Sequence, residues 1–138
     1  MQTAPSIRPA VVRTGRLAVL ALLAAGLWWG WFGWDDSYQH DPATGETSGP
    51  YALWQVIGCT ASGVLLVVVA ERFVPPPALL TVAPLAFTAA WALTAVPTDQ
   101  SGLALVGTVL VLTGTLLGAS AVVATTRALR GLARRHGH

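Results

Sequence analysis

The 138-residue chain has no lysine and no asparagine, one cysteine, and isoleucine only at Ile7 and Ile57. Without asparagine there is no N-glycosylation acceptor. A lone Cys59 cannot close an intramolecular disulfide or form a thioredoxin-like pair of thiols; set among small residues in an apolar run, it reads as a packing residue. Lysine, asparagine and isoleucine all use A/T-rich codons, so their scarcity points to a G+C-rich bacterial gene.

Charge is scarce as well. Only 10% of residues are charged against 54% apolar, a balance foreign to soluble globular domains. Four long apolar stretches contain no Asp, Glu, Lys, Arg or His. Proton- and ion-coupled transporters ordinarily keep an ionisable group near the bilayer midplane, and haem bundles need intramembrane histidines. Neither is provided for, nor is an exporter built on one buried glutamate, and no cofactor is expected. The pI near 9.3 does not point to nucleic acid, because the basic residues flank apolar spans, where anionic lipid attracts them.

What is present is a strict arrangement of arginine. Arg8, Arg13 and Arg16 precede the first apolar stretch, Arg72 lies between the second and third, and Arg127, Arg130, Arg134 and Arg135 follow the fourth. Asp35, Asp36, Asp41, Glu46 and Asp99 occupy the two gaps without arginine. Eight arginines choosing sides blindly would coincide about once in a hundred chains, so the pattern is a topology signal. The expected fold is an all-α integral membrane protein: a four-transmembrane-helix, up-down-up-down bundle in the cytoplasmic (inner) membrane, with both termini cytoplasmic.

The expected segments are a basic, flexible cytoplasmic stretch 1–16, spans at about 17–34, 51–70, 78–96 and 102–126, an outer loop 35–50 and a basic cytoplasmic tail 127–138. The first span resembles a signal peptide, with a weak cleavage site at Ala24-Ala25-Gly26, but its apolar run continues into Trp28, Trp29, Trp31, Phe32 and Trp34, which favours an uncleaved helix. Short links between the later spans predict antiparallel neighbours. Pro75-Pro76-Pro77 stiffens the inner link, and Asp99 or Ser101 is placed to cap the fourth helix. Tryptophan and tyrosine at the outer helix ends (Trp28, Trp29, Trp31, Trp34, Tyr51 and Trp54) read as an aromatic belt.

The outer loop holds the one polar segment of any size. In Tyr38–Thr47, Pro42 presets φ, Asp41 can accept backbone N–H groups and Gly45 can take positive φ, which together predict a small outer β-hairpin. Asp35, Asp36 and His40 in the same loop could form a divalent-metal site of oxygen ligands with one imidazole; solvated loop acids are the simpler reading. Gln55, one turn into the second helix, is placed to hydrogen-bond a neighbouring helix or the hairpin.

Small residues mark candidate helix-packing faces: Gly26, Gly30 and Gly33 on the first helix, Cys59 and Gly63 on the second, Gly114 and Gly118 on the fourth. Such faces serve contacts within the bundle or with a partner chain, and the first use is favoured. Pro84 frees the Leu80 carbonyl in the third helix, with Thr81 and Thr88 near enough to compensate. In the tail, Arg127, Arg130, Arg134 and Arg135 alternate with Ala128, Leu129, Leu132 and Ala133, a spacing that lets the fourth helix continue along an anionic inner surface and anchor to headgroups.

Asp41-Pro42-Ala43-Thr44-Gly45, followed by Gly49-Pro50-Tyr51-Ala52-Leu53-Trp54-Gln55-Val56-Ile57-Gly58-Cys59, resembles a segment of uncharacterised small four-span integral membrane proteins of high-G+C Gram-positive bacteria. The resemblance implies a bacterial inner membrane and the four-helix topology; it brings no activity. The expected function is that of a small non-enzymatic accessory, scaffold or assembly protein, with a membrane-protein partner or a homo-oligomer as its company. The alternatives are an oligomeric channel or transporter subunit, favoured if Ser62, Thr81, Thr88, Thr108 and Thr113 face one another, and an outer-face metal-dependent enzyme or sensor using Asp35, Asp36 and His40.

Overall fold

In the computed structural model the described residues are 7–35, 39–49 and 51–136; of Gln39, His40, Thr47 and Ser48 only the backbone is described. Four helices carry the fold: α1 (Ile7–Trp31), α2 (Leu53–Ala70), α3 (Pro76–Ala95), extended by a 3-10 turn at Val96–Thr98, and α4 (Ala104–His136). All four are long and apolar enough to cross a membrane. Their outward faces carry large apolar side chains such as Leu22, Leu53 and Leu105, each more than 70% exposed. In water such surfaces would drive aggregation; against lipid tails they are at home.

α1 begins ten residues before the apolar span. Arg8, Arg13 and Arg16 therefore stand on a helix, where a flexible segment was expected. α4 is likewise unbroken for 33 residues, about 50 Å, and carries the arginine tail as far as His136 on the same helix. No proline interrupts it. α3 starts on Pro76 and Pro77, with Pro75 as its N-cap, because the first helical positions need no N–H.

Two apolar clusters fix the helix directions. Leu20 and Ala24 of α1 meet Val67 of α2, Leu79 and Ala83 of α3 and Val123 of α4; eight residues further along α1, Trp28 meets Cys59 of α2 and Ala90 of α3. α4 reaches the second level at Gly107, against the Trp91 ring, so residue numbers rise along α1 and α3 and fall along α2 and α4, and all eight arginines belong to one end. The direction alternates, but the neighbours differ from those that short links imply. α1 packs most extensively on α3, and α3 on α4, while α1–α2 and α2–α4 are thinner. α2 and α3, joined by the short Glu71–Pro75 link, lie across the diagonal of the bundle. The link ends in an extended conformation at Pro75 (ψ 145°), from which α3 starts.

At the other end, the α1–α2 connection makes a turn with a two-residue ladder, Gln39 opposite Ser48 and His40 opposite Thr47. The Asp41 carboxylate accepts from the Ala43 N–H at 2.8 Å, and Gly45 adopts φ 70°. Two residues a side are too few to make a stable hairpin, so the fold is all-α, with an ordered turn in its longest connection.

Trp28 departs from the belt expectation. It is 4% exposed and packs among Phe32, Tyr51, Phe87 and Trp91, and its indole N–H donates to Thr94 Oγ1 at 3.2 Å. Trp29, Trp34 and Trp54 remain on the surface.

Candidate functional site: a small-residue cleft between α2 and α4

α2 is tied to the bundle at both ends and stands clear of α4 in the middle. At its first turn Gln55, fully buried, takes the Ala52 N–H on Oε1 (2.7 Å) and donates from Nε2 to the Trp31 carbonyl (3.2 Å) and the Asp35 carboxylate (3.3 Å). At its C-cap, Glu71 accepts from Thr126 Oγ1 at 2.5 Å and pairs with Arg130 at 3.5 Å. The Glu71 side chain is 2% exposed and that of Arg130 45%. The one carboxylate at the arginine end is therefore a clasp between α2 and α4.

Between these ties lies a cavity of about 420 Å³. α2 and α4 form its walls, and α1 and α3 its floor at Ala24, Leu27, Ala83, Pro84 and Phe87. Along α4 the lining residues Val111, Gly114, Thr115, Gly118, Ala119 and Val122 follow the three-four spacing of one helix face; α2 contributes Val56, Cys59, Thr60, Gly63 and Val67 in the same rhythm. The cleft is apolar despite two threonines. Thr60 returns its hydroxyl to Val56 O (2.8 Å) and Thr115 to Val111 O (2.7 Å), so both are satisfied within their own helices.

The candidate packing residues thus separate into groups. Cys59, Gly63, Gly114 and Gly118 share the cleft, yet they do not close it. A Cβ at Gly114 or Gly118 would meet nothing within 4 Å, and at Gly63 only Leu27 Cδ1 at 4.0 Å. Gly26 and Gly30 also face open space, and Gly33, in the turn after α1, is close only to Trp29. The close helix contacts fall on glycines that the sequence pattern passes over: the Trp31 indole lies over Gly58 and the Trp91 indole over Gly107, and a Cβ at either would overlap the ring. The signal for them was a tryptophan able to reach a glycine on an adjacent helix, which needs the helix arrangement to be known.

The proposed metal trio is only partly described. The Asp35 carboxylate is engaged by Gln55; Asp36 lies outside the described residues, as does the His40 side chain. Among the described residues no three His, Cys, Asp or Glu side chains converge. The five hydroxyls of the channel alternative are spread over α2, α3 and α4. Ser62, Thr81, Thr108 and Thr113 each bond the carbonyl four residues back, and Thr81 and Thr113 are exposed. Thr88 is buried with no partner for its Oγ1; Thr81, which turns to Pro77, does not compensate the Leu80 carbonyl. Arg127, Arg130, Arg134 and Arg135 are all exposed on the last turns of α4, where cations favour the helix dipole.

Compared with known proteins, the chain matches no family model, no curated protein and no solved structure.

Proposed function

We propose that this is a non-enzymatic accessory or assembly protein of a bacterial cytoplasmic membrane, and that its α2–α4 cleft receives an apolar transmembrane helix of a partner protein. The supporting observation is that two small-residue faces, Cys59/Gly63 and Gly114/Gly118, flank an apolar cavity without touching across it. Small residues let helix backbones approach closely, and in lipid that approach is a main source of association. Here the approach is left unused within the chain. The occupant is a helix with small or β-branched residues on its contact face, because the walls offer shape and no free polar group.

In this reading the arginine end faces the cytoplasm and the α1–α2 connection covers the outer end of the bundle. The test is a pair of cleft-filling substitutions, Gly114→Leu and Gly118→Leu, compared with Gly26→Leu on the exposed face of α1. All three variants should insert and fold, since each position is exposed and a Cβ there meets no neighbouring atom within 4 Å. A partner recovered by cross-linking at Thr60 should be lost from both α4 variants and kept by the α1 variant. Loss from all three, or from none, would overturn the assignment of the cleft.

A further inference from the structure

An open groove of about 700 Å³ lies at the arginine end, between the first turns of α1 and the α2–α3 link. We propose that it binds the phosphate headgroup of an anionic phospholipid. This rests on the reading above only in placing the arginine end at a membrane surface.

Three observations converge. Arg8, Arg13 and Arg16 all line this groove. Their positions explain how: Arg8, Val12 and Arg16 form one row at four-residue spacing, and Pro9, Arg13 and Leu17 form the adjacent row, so the three guanidinium groups share a side of α1. Next, among the described residues no carboxylate balances them. The arginine end carries eight arginines and one acid, Glu71, and Glu71 is engaged by Thr126 and Arg130 on α4; no acid is among the residues lining the groove. Three cations gathered on one face without a counter-charge repel one another unless an anion joins them.

The third observation is that the opposite wall is apolar and stiff. Phe73, Val74 and Pro75 form it, and the Phe73 carbonyl accepts from Arg16 Nη1 at 3.3 Å. That bond uses one of the five N–H donors of Arg16 and fixes the guanidinium at the rim. A free phosphate needs only the cations. A lipid phosphate also brings glycerol and acyl carbons, and Val12, Leu17 and Phe73 supply the surface for them where the apolar span begins. Basic pockets at the cytoplasmic ends of transmembrane helices are suited to such headgroups, and guanidinium to the phosphate itself.

The experiment uses the full chain purified in mild detergent. Retained lipid is read by native mass spectrometry after addition of phosphatidylglycerol, phosphatidylcholine or inorganic phosphate. Phosphatidylglycerol should be retained as one bound molecule, phosphatidylcholine should not, and inorganic phosphate should compete only weakly; equal competition by inorganic phosphate would overturn the lipid assignment. The double variant Arg8→Gln/Arg13→Gln, which keeps the Arg16–Phe73 bond, should weaken retention at least about tenfold. Arg134→Gln/Arg135→Gln removes the same charge from the α4 tail and should change it by no more than about twofold. Equal losses from the two double variants, or no loss from the first, would refute a groove on α1. Carbonate resistance of each variant in membranes is read in parallel, so that failed insertion is distinguished from failed lipid binding.

Discussion

Removing the Thr126 hydroxyl should cost more stability than removing the Arg130 charge, although Arg130 is the formal ion-pair partner of Glu71. The Glu71 carboxylate is 2% exposed and receives the Thr126 O–H at 2.5 Å, the length of a charge-assisted bond. Hydrogen bonds to charged groups contribute about 1.5–3 kcal/mol, and their loss leaves a buried acceptor underused. The Arg130 contact is longer, 3.5 Å, and its side chain is 45% exposed, so screening holds it to about 0–1 kcal/mol. Thr126→Val should therefore destabilise by about 2 kcal/mol and Arg130→Ala by less than about 1 kcal/mol. In a Glu71→Gln background the acceptor is neutral, and Thr126→Val should cost only about 1 kcal/mol, leaving a coupling of similar size. The assay is unfolding in mixed micelles with increasing dodecyl sulfate, followed by tryptophan fluorescence, to which the buried Trp28 contributes. Equal costs for Thr126→Val and Arg130→Ala, or additive effects with Glu71→Gln, would refute the account of this clasp.

In the same assay, Gly58→Ala and Gly107→Ala should each lose about 1–3 kcal/mol, because the added methyl overlaps Trp31 or Trp91; Gly26→Ala and Gly30→Ala, with open space, should be neutral or gain up to about 1 kcal/mol of helix propensity. Thr88→Val should not destabilise, since it replaces a buried hydroxyl that has no partner by a group of the same shape. The hydrogen bonds from the Ser101 hydroxyl and the Ala104 and Ser101 N–H groups hold the Asp99 carboxyl below its ordinary value of 3.8. A depressed carboxyl stabilises the fold above its ordinary value, and the contribution fades as pH falls through the lower folded one. Amide protection at the start of α4 should therefore drop on acidification below pH 3.8, and Asp99→Ala should remove that dependence.

How far the sequence could be read depends on how local the cause is. Existence and approximate ends of four apolar helices followed from uninterrupted runs and their proline and arginine borders. The Asp41–Gly45 turn and the Asp99/Ser101 cap were legible because each residue has a geometric task within five positions of its partner. Gln55 was legible as a structural polar group, though not its contact with Asp35, twenty residues away. Helix neighbours were not legible: the α2–α3 link is short, yet the two helices it joins lie across the diagonal. The same holds for the glycines, because whether a small face is filled, as at Gly58, or left open, as at Gly114, depends on which helix stands opposite. Glu71 was visible as the only acid among eight arginines, but its role needs Thr126 and Arg130 brought to it from α4.

The most direct test of the central claim, a four-span bundle with every arginine on the cytoplasmic side, is cysteine accessibility. Cys59 is the single native cysteine, so a Cys59→Ala background is silent. Thr44→Cys in the α1–α2 connection and Gly131→Cys in the α4 tail are then labelled in intact cells with a membrane-impermeant maleimide. The account predicts labelling at position 44 in intact cells and at position 131 only after the membrane is opened. Labelling of both in intact cells, or the reverse pattern, would contradict it.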